Sequence, residues 1–206
     1  MVRSLPSGAN AARTPISSVD EPAQRKRRLF VGIELDEFAR ASCARVAQAL
    51  QKTGFDARYE SAEKLHVTLA FLGFVNGSRV EEIVTALNDV AARSRALSVA
   101  LDKLGAFPHE RKPRVVYVGA REQGAEFRKL AQSVRGAYVA AGFEFDNDPV
   151  AHVTIARVKR PQRPLPLVEV EPATLTIRKL TLFASLPDPA RNTSRYETVA
   201  SAKLDQ

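Results

Sequence analysis

Apolar and polar positions divide this chain into a lead without pattern and a body dense with it. Residues 1–27 are rich in Ser, Ala, Pro and Arg and lack apolar periodicity, which predicts a disordered N-terminal extension. Order is expected from Leu29, where Leu29–Leu35 reads as a buried strand. Asp36 is placed to cap a helix running to about Thr53, with Phe38, Ala41, Val46 and Leu50 available for its inner face. Residues 57–61 suggest a short strand, and Leu65–Phe74 alternates cleanly as a longer one. Helical spacing returns at 78–93 through Val80, Ile83, Val84, Leu87 and Val90. Leu97–Phe107 and Arg114–Gly119 read as strands joined by a Pro- and Arg-rich loop. A helix over 125–141 is closed by Gly142, and a strand follows at 150–158. After a proline-rich loop at 161–166 come strands at 175–185 and 195–202. The order β-α-β-β-α-β-β-α-β-β-β, with short links between neighbouring strands, predicts an α+β fold with antiparallel sheet rather than a doubly wound one.

Composition adds limits. Of 206 residues, 45% are hydrophobic and 26% charged, as in ordinary globular domains. No run approaches the ~20 apolar residues that span a bilayer, so no membrane association is expected. The single cysteine, Cys43, forbids an intrachain disulfide and a cysteine-rich metal site, and fits a reducing cytoplasm. Cys43 itself reads as a packing residue. The lead lacks the apolar core of a secretory signal, and Asp20 and Glu21 argue against a transit peptide. The net charge of +8 suggests a polyanionic partner. Half of it sits in residues 1–28, where Arg3, Arg13, Arg25, Lys26, Arg27 and Arg28 face only Asp20 and Glu21.

A short internal repeat carries the chemistry. His66-Val67-Thr68-Leu69-Ala70 recurs 86 residues later as His152-Val153-Thr154-Ile155-Ala156, and only three histidines occur in the chain. On a strand, His and the Thr two residues on share a face, about 6–7 Å apart, while the intervening apolar residues face the core. If the two strands face one another across a cleft, they present two imidazoles and two hydroxyls with approximate two-fold symmetry. In-line displacement at phosphorus needs that set. One imidazole takes a proton from the incoming oxygen and the other gives one to the leaving oxygen. Thr68 and Thr154 can donate to the non-bridging oxygens. No metal or cofactor is required, and a cyclic phosphodiester suits a small site. Spacing alone does not distinguish acid from base.

The paired H-x-T-[LI] motifs resemble those of the 2H phosphoesterase superfamily. More narrowly, residues 28–204 resemble the RNA 2′,3′-cyclic phosphodiesterases, first described as 2′-5′ RNA ligases. Segments 28–33, 64–73, 105–108, 112–119, 152–157, 182–185 and 195–197 also carry the likeness. The resemblance implies a bilobal, pseudo-two-fold α+β domain over 28–206, with two antiparallel sheets facing a central cleft and helices packed outside. It implies opening of a 2′,3′-cyclic phosphate to a 2′-phosphate, with His66 as proton donor and His152 as proton acceptor. The implied partners are RNA with cyclic phosphate termini or small cyclic nucleotides, and the two-lobe plan fits a monomer. Tyr59 stands where a tryptophan is common, and the proline that often precedes the second histidine is absent at Ala151. The basic N-terminal extension is longer than usual.

Other candidates carry weaker signals. Alternation sets Arg157 opposite His152 and Thr154 unless a bulge intervenes. Arg114, with Arg111 and Lys112, could steer an RNA backbone. Phe30, Phe107 and Tyr196 could stack on a base, although core packing is the commoner fate of strand aromatics. His109 reads as an exposed loop residue. The chain has no G-x-x-x-x-G-K-[ST], G-x-G-x-x-G, G-x-S-x-G or H-E-x-x-H. Two other readings stay open: 2′-5′ ligation by the reverse chemistry, and a non-catalytic RNA- or nucleotide-binding module.

Overall fold

The computed structural model describes residues 25–146, 148–161 and 163–205. Most of the expected disordered extension lies outside them. Its last residues do not fit that expectation, because Lys26 and Arg27 already belong to the first strand and pair with Asn76 and Val75. The cause is pairing along a sheet, which no local apolar period reveals.

The elements are β1 (Lys26–Glu34), α1 (Glu37–Lys52), β2 (Arg58–Tyr59), β3 (His66–Asn76), α2 (Val80–Ala92), β4 (Leu97–Leu101), β5 (Lys103–Phe107), β6 (Val115–Gly119), α3 (Ala125–Ala140), β7 (His152–Arg157), β8 (Ala173–Ile177), β9 (Lys179–Asp188) and β10 (Thr193–Lys203). Two expected strands are each divided, at Asp102 and at Arg178, where a polar residue marks the passage from one sheet to another. β4 and β8, the outer halves of these runs, pair with each other in a small second sheet.

The fold is α+β with antiparallel sheets, as expected. The large sheet runs β10-β9-β1-β3-β7-β6-β5, with β2 added beside β7. Its halves are β10-β9-β1-β3 and β7-β6-β5. They join through β3 and β7, where Val67 and Val153 are the one residue pair in ladder register among the described residues. Chain order interleaves these halves, with β1, β3, β9 and β10 in one and β2, β5, β6 and β7 in the other.

The helices pack on the core side. α1 lies against β7 and β8, α2 against β9 and β10, and α3 against β3 and β4. Asp36 caps α1 as expected, its Oδ1 accepting from the Ala39 N–H at 2.8 Å. The inner face of α1 is Ala39, Ser42, Cys43, Val46 and Leu50. Phe38 is 62% exposed and Ala41 is exposed, so two expected core positions are shifted off that face. Gly142 (φ +82°) ends α3 in the left-handed region, as its position predicts. Val67, Leu69, Val153 and Ile155 are sealed in the core, which leaves the histidines and threonines between them on the other face.

Gly32 marks the tightest approach beside the first motif. A Cβ there would lie 2.7 Å from the Val67 carbonyl oxygen and 3.6 Å from the His66 ring. The clash is with backbone in the middle of the sheet, so no side chain can swing away to relieve it. Gly32→Ala is expected to lower stability by about 1–3 kcal/mol, measured by urea denaturation.

Candidate active site

The Val67–Val153 pair fixes the geometry. Extending its antiparallel register by one residue each way sets His66 across from Thr154 and Thr68 across from His152. All four line one cleft of about 1030 Å³. Both motifs carry the same irregularity. In β3, Thr68 pairs with Gly32 and Ala70 with Val31, leaving Leu69 as an extra residue. In β7, Thr154 pairs with Tyr117 and Ala156 with Val116, leaving Ile155 extra. A bulge interrupts the alternation of the residues beyond it. Phe71 and Arg157, at matching repeat positions, therefore both line the cleft.

The histidine tautomers follow from their partners. His66 Nδ1 lies 2.7 Å from the Lys64 carbonyl oxygen, and His152 Nδ1 lies 2.8 Å from that of Val150. A carbonyl only accepts, so Nδ1 carries the hydrogen in both rings. Nε2 of each neutral imidazole is left as the basic atom. His66 Nε2 accepts from the Thr68 hydroxyl at 3.1 Å.

Aromatic rings wall each imidazole. Phe30 and Tyr196 lie 4.9 and 5.2 Å from the His66 ring, the latter edge-on. Phe107 and Tyr117 meet His152 edge-on at 5.1 and 5.5 Å. A Cβ on Gly105 would lie 2.5 Å from the Tyr117 ring, so that glycine makes room for this wall. Burial pushes both histidines below the ordinary value of 6.5 against the opposing pull of their carbonyl bonds. The positive charge of Arg157 lowers both further, and His66 also feels His152. Glu60 acts on His66 in the opposite sense and favours its proton.

Glu60 is the anionic hub of the cleft. Its nearly buried carboxylate meets Lys64 at 2.8 Å, Arg157 at 3.1 Å and Arg58 at 3.5 Å. Burial pushes Glu60 up, but the Lys64 hydrogen bond and the three cations outweigh it and keep the group ionised. Lys64 also bonds Thr193 Oγ1 at 2.9 Å, and its carbonyl holds His66. The hub thereby links the segment preceding the first motif to the end of the second.

The candidates fall into three groups. His66, Thr68, His152, Thr154, Arg157, Phe107 and Tyr196 are brought together in the cleft. Phe30 also lines it but is 2% exposed and stacks on Phe183 at 4.9 Å. It backs the imidazole and has no free face for a base. Arg114 is exposed outside the cleft lining, at the mouth of the β5–β6 loop, because its backbone is tied to Phe107 and Val158. His109 is exposed in that loop. Tyr59 donates to the Phe55 carbonyl and packs against the core. Cys43 is sealed in the core, its thiol pushed up to about 12 by burial.

Sequence reasoning misses Arg28, Phe71, Glu60, Arg58 and Tyr117. Arg28 counts with the basic lead by composition, yet its guanidinium lies over the Phe71 ring at 4.7 Å. Strict alternation hides Phe71, because only the bulge redirects it. The i,i+4 spacing of Glu60 and Lys64 is the one available signal for the hub.

A family model described as LigT-like phosphoesterase matches residues 33–117. The RNA 2′,3′-cyclic phosphodiesterase of Archaeoglobus fulgidus is 35% identical over 133 residues, covering 65% of this chain and 73% of that protein. The RNA 2′,3′-cyclic phosphodiesterase of Methanothermobacter thermautotrophicus is 29% identical over 172 residues, covering 80% of this chain and 93% of that protein. Among solved structures, E. coli LigT in its apo form superposes with a TM-score of 0.69 at 24% identity, over 89% of this chain and all of that one.

The lowered histidines have a consequence for stability. With folded values below the unfolded one, the unfolded chain binds more protons in the interval between them. Stability therefore rises with pH through that interval and is fully present above about 6.5. Urea midpoints are expected to fall as pH drops from 7 to 5, with a shallower fall in the His66→Gln/His152→Gln double variant.

Proposed function

This chain belongs to the LigT-like phosphoesterase family, and we propose that it hydrolyses 2′,3′-cyclic phosphate ends of RNA or of nucleotides to 2′-phosphates. The observation that carries this reading is the two-fold set of His66, Thr68, His152 and Thr154 around the Val67–Val153 junction. His152 Nε2 takes a proton from water as its oxygen bonds to phosphorus. The bond from phosphorus to the 3′ oxygen breaks, and His66 Nε2 gives that oxygen a proton. The phosphate remains on the 2′ oxygen, and the pair ends with its proton exchanged between rings.

Electrostatics distinguish the two rings. Arg157 disfavours a proton on both, and Glu60 favours one on His66 alone. The anionic substrate itself pulls a proton into a site whose empty form leaves both rings neutral. When His66 gains that proton at Nε2, the Thr68 hydroxyl becomes an acceptor toward the ring. Its own hydrogen is then free for a phosphate oxygen, and Thr154 serves the opposite side. Arg157, at hydrogen-bond distance of Glu60, supplies fixed positive charge for the phosphorane-like transition state. Both motifs come from one chain, which supports function as a monomer. A lone buried cysteine fits the cytoplasm as the compartment.

His66→Ala and His152→Ala are each expected to reduce kcat on a nucleoside 2′,3′-cyclic phosphate by about 10²–10⁴-fold, with folding retained by circular dichroism. Chromatography of the product distinguishes the 2′-phosphate expected here from a 3′-phosphate or a joined strand. Activity of both variants equal to the parent would sink the assignment.

The kcat/KM profile should be bell-shaped, with apparent values belonging to the histidine pair. Glu60→Gln removes the charge that favours the proton on His66. Its alkaline limb is expected to move to lower pH, a change that a packing role for Glu60 would not produce.

A further inference from the structure

The two ends of the cleft differ in charge, and β7 runs between them. Ahead of His152 the lining includes Glu144, Asp146 and Asp148, with the Arg135 guanidinium over the Phe145 ring among them. Beyond Arg157 lies a second pocket of about 550 Å³ formed by Asp56, Ala57, Arg58, Arg157, Lys159 and Arg160. Four of those six side chains are cationic and one is acidic. Arg58 and Arg157 line both cavities, so the pocket continues the cleft. Lys159 and Arg160 are exposed and make no ion pair among the described residues. They stand at most about 11 Å of extended chain beyond Arg157.

The neighbouring backbone adds to the same end. The Val158 N–H donates to the Arg114 carbonyl at 2.9 Å, and Val115 pairs with Arg157. That register places the 111–114 segment, with Arg111, Lys112 and Arg114, next to the end of β7. Positive charge therefore gathers on one side of the catalytic pair, and three carboxylates with a single arginine, Arg135, stand on the other.

We propose that this pocket is a subsite for the sugar-phosphate backbone of single-stranded RNA, on the 5′ side of the terminal cyclic phosphate. The proposal rests on the phosphodiesterase reading and narrows its substrate class to oligoribonucleotides over mononucleotides. A polyanion whose end is seated between His66 and His152 can leave the cleft toward Arg58, Lys159 and Arg160. Leaving past Glu144, Asp146 and Asp148 would set phosphates against carboxylates. Lysine and arginine contacts to phosphate carry no base information, so the subsite confers length preference without sequence preference. Arg58 and Arg157, shared with the cleft, couple the two seats.

The test compares a nucleoside 2′,3′-cyclic phosphate with a short oligoribonucleotide ending in the same group, for the parent and for Lys159→Ala/Arg160→Ala. Both replaced residues are exposed, and unchanged urea midpoints confirm the fold. Expected is an unchanged kcat/KM on the mononucleotide and a roughly fivefold to tenfold higher KM on the oligonucleotide. The salt dependence of the oligonucleotide reaction should weaken, with a log–log slope smaller by about 0.7 for each phosphate that the variant no longer neutralises. Equal loss on both substrates, or loss on neither, overturns the subsite.

If the parent opens neither substrate, the enzymatic reading fails separately. Fluorescence anisotropy with a 3′-phosphorylated oligoribonucleotide then decides the subsite. Weaker binding and a smaller salt slope in the double variant uphold it, and unchanged binding overturns it.

Discussion

The cleft depends on a junction one residue pair wide. β3 and β7 meet in register at Val67 and Val153, and those two valines are sealed in the core beneath the site. Because antiparallel pairing relates its two strands by a local two-fold, a single such pair suffices to set His66 across from Thr154 and Thr68 across from His152. With no junction, the two lobes would have no fixed distance between their histidines. The matched bulges at Leu69 and Ile155 then act as a second use of the same symmetry. Each turns the residue after the motif into the cleft, an aromatic ring on one side and a guanidinium on the other. The repeat is thus symmetric in backbone and asymmetric in chemistry.

Burial and the cations around that junction disfavour a proton on either imidazole. Burial among aromatic rings lowers both, and Arg157 lowers both again. Glu60 prevents the cations from acting without restraint. Its carboxylate takes Lys64, Arg58 and Arg157 at once, so one buried anion orients three positive groups. It also gives His66 an electrostatic environment different from that of His152. Two rings of the same type, on equivalent strands, are separated by one carboxylate that belongs to neither motif.

Basic charge takes a different meaning in three dimensions. Arg25–Arg28 reads as part of a featureless lead, but Lys26 and Arg27 are strand residues and Arg28 lies in the cleft wall. Pairing with β3 and β9 orders this segment, and pairing partners 40 and more residues away leave no trace in local apolar spacing. The same limit explains the divided strands. Leu97–Phe107 and residues 175–185 are each continuous as patterns, but Asp102 and Arg178 mark places where the chain changes sheets, a decision made by packing against α1 and α3.

The sequence by itself determined the helices, most of the strands, the α+β class and the candidate chemical core. The shared face of His66 with Thr68, and of His152 with Thr154, was legible because strand alternation is a local rule and the repeat occurs in the chain itself. Asp36 as a cap and Gly142 as a stop were legible for the same reason, each acting within a few residues of its own position. Tertiary structure alone decided what alternation cannot carry across a bulge or between strands. It turned Arg157 and Phe71 into the cleft, recruited Glu60 and Tyr117 from other segments, and withdrew Phe30 into the wall behind His66. It also left Arg114 outside the cleft, since backbone pairing at the loop mouth fixes where that side chain begins. Local periodicity reports which face a residue takes on its own strand. Which groups share a cleft depends on register between distant segments, and that is set by the packing of the whole core.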